Sequence, residues 1–214
     1  MQDVFIFAAR PSMTLEMSTT EPETPKRRTQ AERRAETREA LLSAARELFI
    51  KNGFADTGTP ELVANAGVTR GALYHHFTDK TDVFRALAMQ EAQAIGTLID
   101  EKTRNIEDPE EAMIAGTLAY FDAMAVPGRA KLLLSDAPSI LGHAEALELT
   151  KPEGSAELKD GLRQAIPDLG EAELDALTNV LSASFDRAAL EIAEGADSQP
   201  YIDALFTLVG KAMG

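Results

Sequence analysis

Apolar residues recur every three or four positions along most of the chain, and the polar residues between them mark where helices start and stop. From Glu32 to Lys51, Ala35, Leu41, Leu42, Ala45, Leu48 and Phe49 keep helical spacing. Asn52-Gly53 then ends the run with residues that accept a left-handed backbone. Thr59 is placed to cap a short second helix, with Pro60 at its first position, Glu61 in its first turn and Leu62 and Val63 turned inward. Ala66-Gly67-Val68 reads as a tight turn. Thr69 caps a third helix, Arg70 to Phe77, and Asp79 caps a longer fourth one with Val83, Phe84, Leu87 and Ile95 inside.

The pattern stays helical to the end. Asp108-Pro109-Glu110-Glu111 opens a helix that runs to about Met124 and is broken by Pro127-Gly128. Short helices are expected over 129–135 and 138–149, a loop at Lys151-Pro152-Glu153-Gly154, and a helix over 155–166. Helices over 171–194 and 198–211 complete the chain. No segment has the alternation or β-branched enrichment of a strand, so the fold class is all-α.

Residues 1–25 read as a polar tail with Thr, Glu and Pro, expected to be disordered. Val4 to Ala9 is too short and wrongly flanked for a secretory signal, and no apolar stretch is long enough to span a membrane. Ordered structure is expected from near Arg27; Met13 and Met17 offer later starts, and residues 1–16 read as an extension ahead of the second. Cys is absent and there are three His, so neither a disulfide framework, a metal site nor a cofactor is expected, and a reducing cytoplasm suits the composition.

The net charge of −14 is unevenly spread. Residues 26–85 hold eleven Lys and Arg against eight Asp and Glu, a net of +3, whereas residues 86–214 carry −14. One segment is therefore suited to phosphates and the other repels them, although chance clustering on a solvated surface gives the same numbers.

The informative stretch is Thr57-Gly-Thr-Pro-Glu-Leu-Val-Ala-Asn-Ala-Gly-Val-Thr-Arg-Gly-Ala-Leu-Tyr-His-His-Phe77. It reads as two short helices joined at Gly67, close together because Ala64 is small, around a core of Leu62, Val68, Leu73 and Phe77. The second helix turns Arg70, Gly71, Ala72, Tyr74, His75 and His76 away from that core, and such a helix fits the major groove. Tyr74 could instead be half-buried packing. His75 and His76 point about 100° apart and cannot share a metal ion from one face.

With Thr37-Arg-Glu-Ala-Leu-Leu-Ser-Ala-Ala-Arg-Glu-Leu-Phe49 and Asp79-Lys-Thr-Asp-Val-Phe84, this stretch resembles the N-terminal domain of TetR-type transcriptional regulators over residues 35–88. The resemblance implies a disordered tail over 1–30, a three-helix helix-turn-helix DNA-binding domain over 31–80, and a helical-bundle effector-binding and dimerisation domain over 81–214. It implies a homodimer on double-stranded operator DNA, released when a small molecule binds, and a repressor without enzymatic activity. By position, Thr37 and Thr59 would donate to phosphates from helix N-termini, and Thr69 would cap the recognition helix and touch another. Arg70 would reach phosphate or a guanine edge, Gly71 would allow close approach, and Ala72 would meet a thymine methyl. Tyr74 and His75 would hold the backbone or read a base, and Lys80 would pair with a phosphate. Gly58 departs from the Ser or Thr of relatives, which removes one phosphate contact. Lys26, Arg27, Arg28, Arg33 and Arg34 could form an arm along the DNA or stay solvated.

In the body, Met89, Leu118, Phe121, Met124, Leu133, Ile140 and Phe185 are candidate pocket residues or plain core, and His143 is a surface group or an effector contact. Arg129 and Lys131 could receive an anionic effector, which the acidic surplus otherwise disfavours. Leu174, Leu177, Leu181, Phe185, Ala188 and Ile192, joined by Tyr201 and Leu205, form either a dimer face or an intramolecular core; the resemblance favours the dimer. Asp122, Asp136, His143 and Glu145 could serve acid–base work, but no phosphate loop, nucleophile elbow or metal spacing accompanies them.

Overall fold

The computed structural model describes residues 29–213, without the side chains of 150–157 and 212–213. Among the described residues there are nine α-helices, one π-helical turn and no strand. The expectations for residues 1–25 and for the basic residues 26–28 lie outside them.

Helix α1 (Gln30–Asn52) begins before its apolar stripe does, because Thr29 and Glu32 close a capping box: Glu32 N donates to Thr29 Oγ1 at 3.2 Å, and Thr29 N to Glu32 Oε2 at 2.7 Å. Thr37 therefore lies inside a helix. Its hydroxyl donates to Arg33 O at 2.9 Å, which corrects its expected place at a helix N-terminus.

α2 (Thr59–Asn65) and α3 (Arg70–His76) are joined at Gly67, whose φ of +64° is the left-handed turn the sequence demands, with Val68 N donating to Val63 O at 3.0 Å. The cap of α2 is Gly58, with extended backbone and no side-chain bond, so Thr59 is the first helical residue and not the cap expected. α4 (Lys80–Thr103) is capped by Asp79, which accepts from Asp82 N at 2.8 Å. Leu41, Leu42, Phe49, Leu62, Leu73, Val83 and Phe84 fill the core of this head, and the rings of Phe49, Phe54 and Phe84 meet pairwise at 5.4–5.7 Å.

The body follows with α5 (Pro109–Met124), a π turn (Lys131–Asp136), α6 (Ala137–Leu141), α7 (His143–Ala165), α8 (Glu171–Ala193) and α9 (Ser198–Met213). α4 packs against α1 in the head and against α5 and α7 in the body. Three expectations need correction here. The helix expected over 138–149 is interrupted at Gly142, whose φ of +90° ends α6 before α7 begins. Where a short α-helix was expected over 129–135, Lys131–Asp136 is a π turn, because an ordinary α-turn would drive the Pro138 ring against Leu134 O. The loop at 151–154 is absent, since α7 runs through Pro152 and Gly154. Ala146 and Leu162, buried on either side, hold the helix despite residues that cost about 3 and 1 kcal/mol relative to Ala.

Head and body are tied across α4. Gly128, at φ +80°, receives Ile50 of α1 so closely that a Cβ there would stand 2.6 Å from it. Beside this contact the buried Glu91 accepts from Arg46 Nε at 2.7 Å and from Arg129 Nε at 2.6 Å. The same guanidinium groups also reach Pro127 O and Ala123 O.

Candidate nucleic-acid interface and ligand cavity

Burial of Leu73 and Phe77 fixes the orientation of α3, and the opposite face is left open. Thr69, the cap, accepts from Ala72 N at 3.2 Å. Arg70, Gly71, Tyr74 and His75 are exposed, with Tyr74 at 46%, which removes the reading of Tyr74 as half-buried core. Arg70 lies over the Tyr74 ring at 5.5 Å and donates to its hydroxyl at 3.5 Å. That hydrogen bond and charge hold the phenol below its ordinary pKa, with a smaller contribution from Thr59. Thr59 of α2 and Tyr74 of α3 thus sit on one surface.

Gly71 has no structural duty inside the chain. An added Cβ would meet only Thr69 Oγ1, at 3.9 Å. A glycine in a helix costs about 1 kcal/mol relative to Ala, so its use fits a surface that something outside approaches closely.

Two further cations join this face. Arg34 and Arg38 of α1 bear on His76, whose pKa is lowered first by burial and then by these charges. Arg38 also lies 5.6 Å from the centre of the Phe77 ring. Arg38 was missed in the sequence, although its i,i+4 spacing from Arg34 was there to be read.

Lys80 does something other than expected. Its ammonium donates to Phe54 O at 2.6 Å, Thr57 O at 2.9 Å and Ala55 O at 3.4 Å, over the Phe54 ring at 4.2 Å. All three of its protons go to the loop between α1 and α2, so the side chain staples the head together and has no donor left for a phosphate.

In the body a cavity of about 640 Å³ lies among α4, α5, the π turn, α7 and α8. Met124, Leu133, His143 and Phe185 line it, as do Ile95, Ile99, Tyr120 and Asp186. Four expected residues do not: Met89 and Leu118 are exposed on the outside, while Phe121 and Ile140 pack elsewhere. Tyr120 and Asp186 were missed because 66 positions separate them and no local pattern joins them. The Tyr120 hydroxyl donates to Asp186 Oδ1 at 2.8 Å. Burial pushes Asp186 above the usual carboxylate range, and burial together with the Asp186 charge pushes the phenol well above its own.

The two cations suggested for an anionic effector are engaged elsewhere, Arg129 with Glu91 and Lys131 with Asp136 at 2.7 Å. The four residues weighed for acid–base work are scattered: Asp136 and Glu145 are bound to Lys131 and Arg85, Asp122 is exposed, and His143 lies at the cavity. The suggested dimer face is also corrected. Leu174, Leu181, Phe185, Ala188 and Leu205 are buried within the chain, and Leu177, Ile192 and Tyr201 pack against that core. The body uses this stripe to close its own bundle, which leaves Val180 (64% exposed) and Leu208 (50%) facing outward.

Two short helices joined by a tight turn, the outer face of the second left open, and a helical body behind them define a helix-turn-helix regulator. Residues 41–87 match the family described as bacterial regulatory proteins, tetR family, and residues 110–209 match the tetracyclin repressor-like C-terminal domain. The transcriptional repressor BepR of Brucella suis is 51% identical over 61 residues, 28% of this chain and 29% of that protein. The transcriptional regulator AcrR of Shigella flexneri is 32% identical over 100 residues, 46% of either chain, so the chain spans less than half of both curated relatives. A solved TetR-family transcriptional regulator from Pectobacterium atrosepticum is 31% identical, covering 86% of this chain and 94% of that one, with a TM-score of 0.61. The chain belongs to the TetR family of transcriptional regulators. Its relatives are regulators and not enzymes. No helix among the described residues is long and apolar enough to cross a membrane.

Proposed function

We propose that the protein is a homodimeric repressor that binds operator DNA through α3 of each protomer and leaves it when a small molecule enters the body cavity. The observation that carries this reading is the open face of α3, with Arg70, Gly71, Tyr74 and His75 above a buried Leu73–Phe77 core. Arg70 and Tyr74 hold each other in place, so their ordering cost is met before DNA arrives. Thr59, Thr69 and Ala72 border the same surface, and Arg34 and Arg38 extend its positive charge toward the flanking phosphates.

The division at residues 80–81 falls at the start of α4, the helix both units share. Val83 and Phe84 belong to the head core, Glu91 to the charge hub, and Ile95 and Ile99 to the cavity wall. A molecule wedged against Ile95 and Ile99 would tilt α4 and move the head. Two heads spaced about 34–36 Å apart for successive major grooves would then lose register. Operator DNA must weaken effector binding by the same factor. The exposed Val180 and Leu208, beside small residues Ala176, Ala183 and Ala204, support a dimer through the outer faces of α8 and α9.

The test is fluorescence anisotropy with DNA from upstream of the protein's own gene, at two salt concentrations. Binding that falls steeply with salt is the expected result. Failure to bind that DNA, together with failure to recover any site by selection from genomic fragments, would refute the reading.

A further inference from the structure

Among the described residues, the cavity holds an acidic group without a counter-ion. Asp186 projects from α8 beside Phe185, and its one hydrogen-bond partner among the described residues is the neutral Tyr120 hydroxyl. Neither Lys nor Arg is among the described lining residues, and the imidazole that is, His143, forms no hydrogen bond or ion pair with Asp186. The neighbouring Arg187 is turned outward to Glu191. Asp160, the second lining carboxylate, already has its cation, with Arg163 Nη1 at 2.5 Å. A carboxylate kept in an apolar wall without a cation is costly and uncommon, and packing does not require it.

The surroundings fit an aromatic or hydrocarbon body. Tyr120, Phe121 and Phe185 form a ring cluster with centroids 5.4–6.0 Å apart, and Tyr120 and Phe185 turn to the cavity. Ile95, Ile99, Met124 and Leu133 supply the rest of an apolar wall. Ring faces attract cations. The net charge of −14 over residues 86–214 adds a field that draws cations in and turns anions away.

We infer that the effector is a lipophilic organic cation, an amine or quaternary ammonium on an apolar body, whose positive charge rests against Asp186 beside the rings of Tyr120 and Phe185. This rests on the reading of the cavity as the effector site. The Tyr120 hydrogen bond aims the carboxylate, and a bound cation replaces the missing charge.

The test is calorimetric titration of the full-length protein with three permanent cations of increasing size: benzyltrimethylammonium, tetraphenylphosphonium and ethidium. Tetraphenylborate, the anionic isostere of the second, is the control. At least one cation should bind the wild type, while tetraphenylborate should not. Asp186→Asn should weaken that cation by about tenfold or more. Tyr120→Phe, which keeps both ring and carboxylate, should retain it with a smaller loss, so that a folding defect in one variant does not decide the matter. Binding of none of the cations, equal binding of cation and anion, or an Asp186→Asn variant that binds the cation as tightly as the wild type overturns the inference. Operator binding is read on the same samples. A cation that binds through Asp186 without releasing DNA upholds the ligand class and overturns effector release. Release of DNA by tetraphenylborate does the reverse.

Discussion

Arg46 Nε stands 2.7 Å from Glu91 Oε1, an ion pair between the first helix of the head and the helix that enters the body. The second Glu91 oxygen meets Arg129 at 2.6 Å, so one carboxylate, only 8% exposed, pairs with guanidinium groups from both units. Removing the shared carboxylate leaves two cations facing each other, whereas removing Arg46, which is partly in water, leaves Glu91 still paired. Glu91→Gln should cost about 3 kcal/mol in urea unfolding, and Arg46→Ala about 1 kcal/mol or less. Equal losses for the two variants would show that the hub is not shared as described.

Lys80→Met separates stapling from DNA contact. Losing three charge-assisted bonds to the loop carbonyls should lower stability by about 2 kcal/mol. The dependence of operator affinity on salt should keep its slope, since no phosphate contact is lost. A salt slope reduced by about one would restore Lys80 to the DNA-contacting set.

Gly71→Ala should move stability and binding in opposite directions. The open space around its Cα predicts a gain of about 1 kcal/mol in stability from helix propensity. Operator affinity should fall because the added methyl group stands where the DNA approaches. Arg70→Ala, on the same face, should fold normally and weaken operator binding by about 1–3 kcal/mol. A Gly71→Ala protein that binds as well as the wild type would remove close approach as the reason for this glycine.

The open face of α3 was legible because it is local. Residues 69–76 carry their own cap, turn and face, and helical periodicity places each side chain relative to Leu73 and Phe77. Lys80 was misread because its acceptors lie 23–26 residues earlier, on a loop whose path periodicity does not encode. The start of α1 escaped the apolar pattern because Thr29 and Glu32 are exposed polar groups. α7 escaped because burial of Ala146 and Leu162 outweighs the local effect of Pro152 and Gly154. The apolar stripe of α8 was visible, but a stripe states only that something covers it. Whether the cover is α9 and the body or a second protomer is decided by tertiary packing. The Tyr120–Asp186 pair had no signal beyond an acidic residue placed beside Phe185.

Asp186 also predicts how stability changes with pH. In the unfolded chain an Asp titrates near pH 3.9 or so. In the folded chain burial raises its pKa, and the Tyr120 hydrogen bond only partly opposes that rise. Between the two values the folded state holds the extra proton, so this group's contribution to stability falls as pH rises through that window and stays low above it. Asp186→Asn keeps the shape and an oxygen that accepts from Tyr120, but it carries no charge. The variant should therefore melt at a higher temperature than the wild type at neutral pH. That advantage should shrink as pH falls through this window and vanish below the unfolded-chain pKa, where the carboxyl is protonated in both states. A saturating cation should narrow the neutral-pH gap by stabilising the wild type more than the variant, by about 1.4 kcal/mol for each tenfold difference in affinity. Thermal melts of both proteins at neutral and acid pH, with and without tetraphenylphosphonium, measure all of this. A variant less stable than the wild type at neutral pH would mean that the carboxylate is compensated inside the chain, and the case for an uncompensated charge in the cavity would be lost.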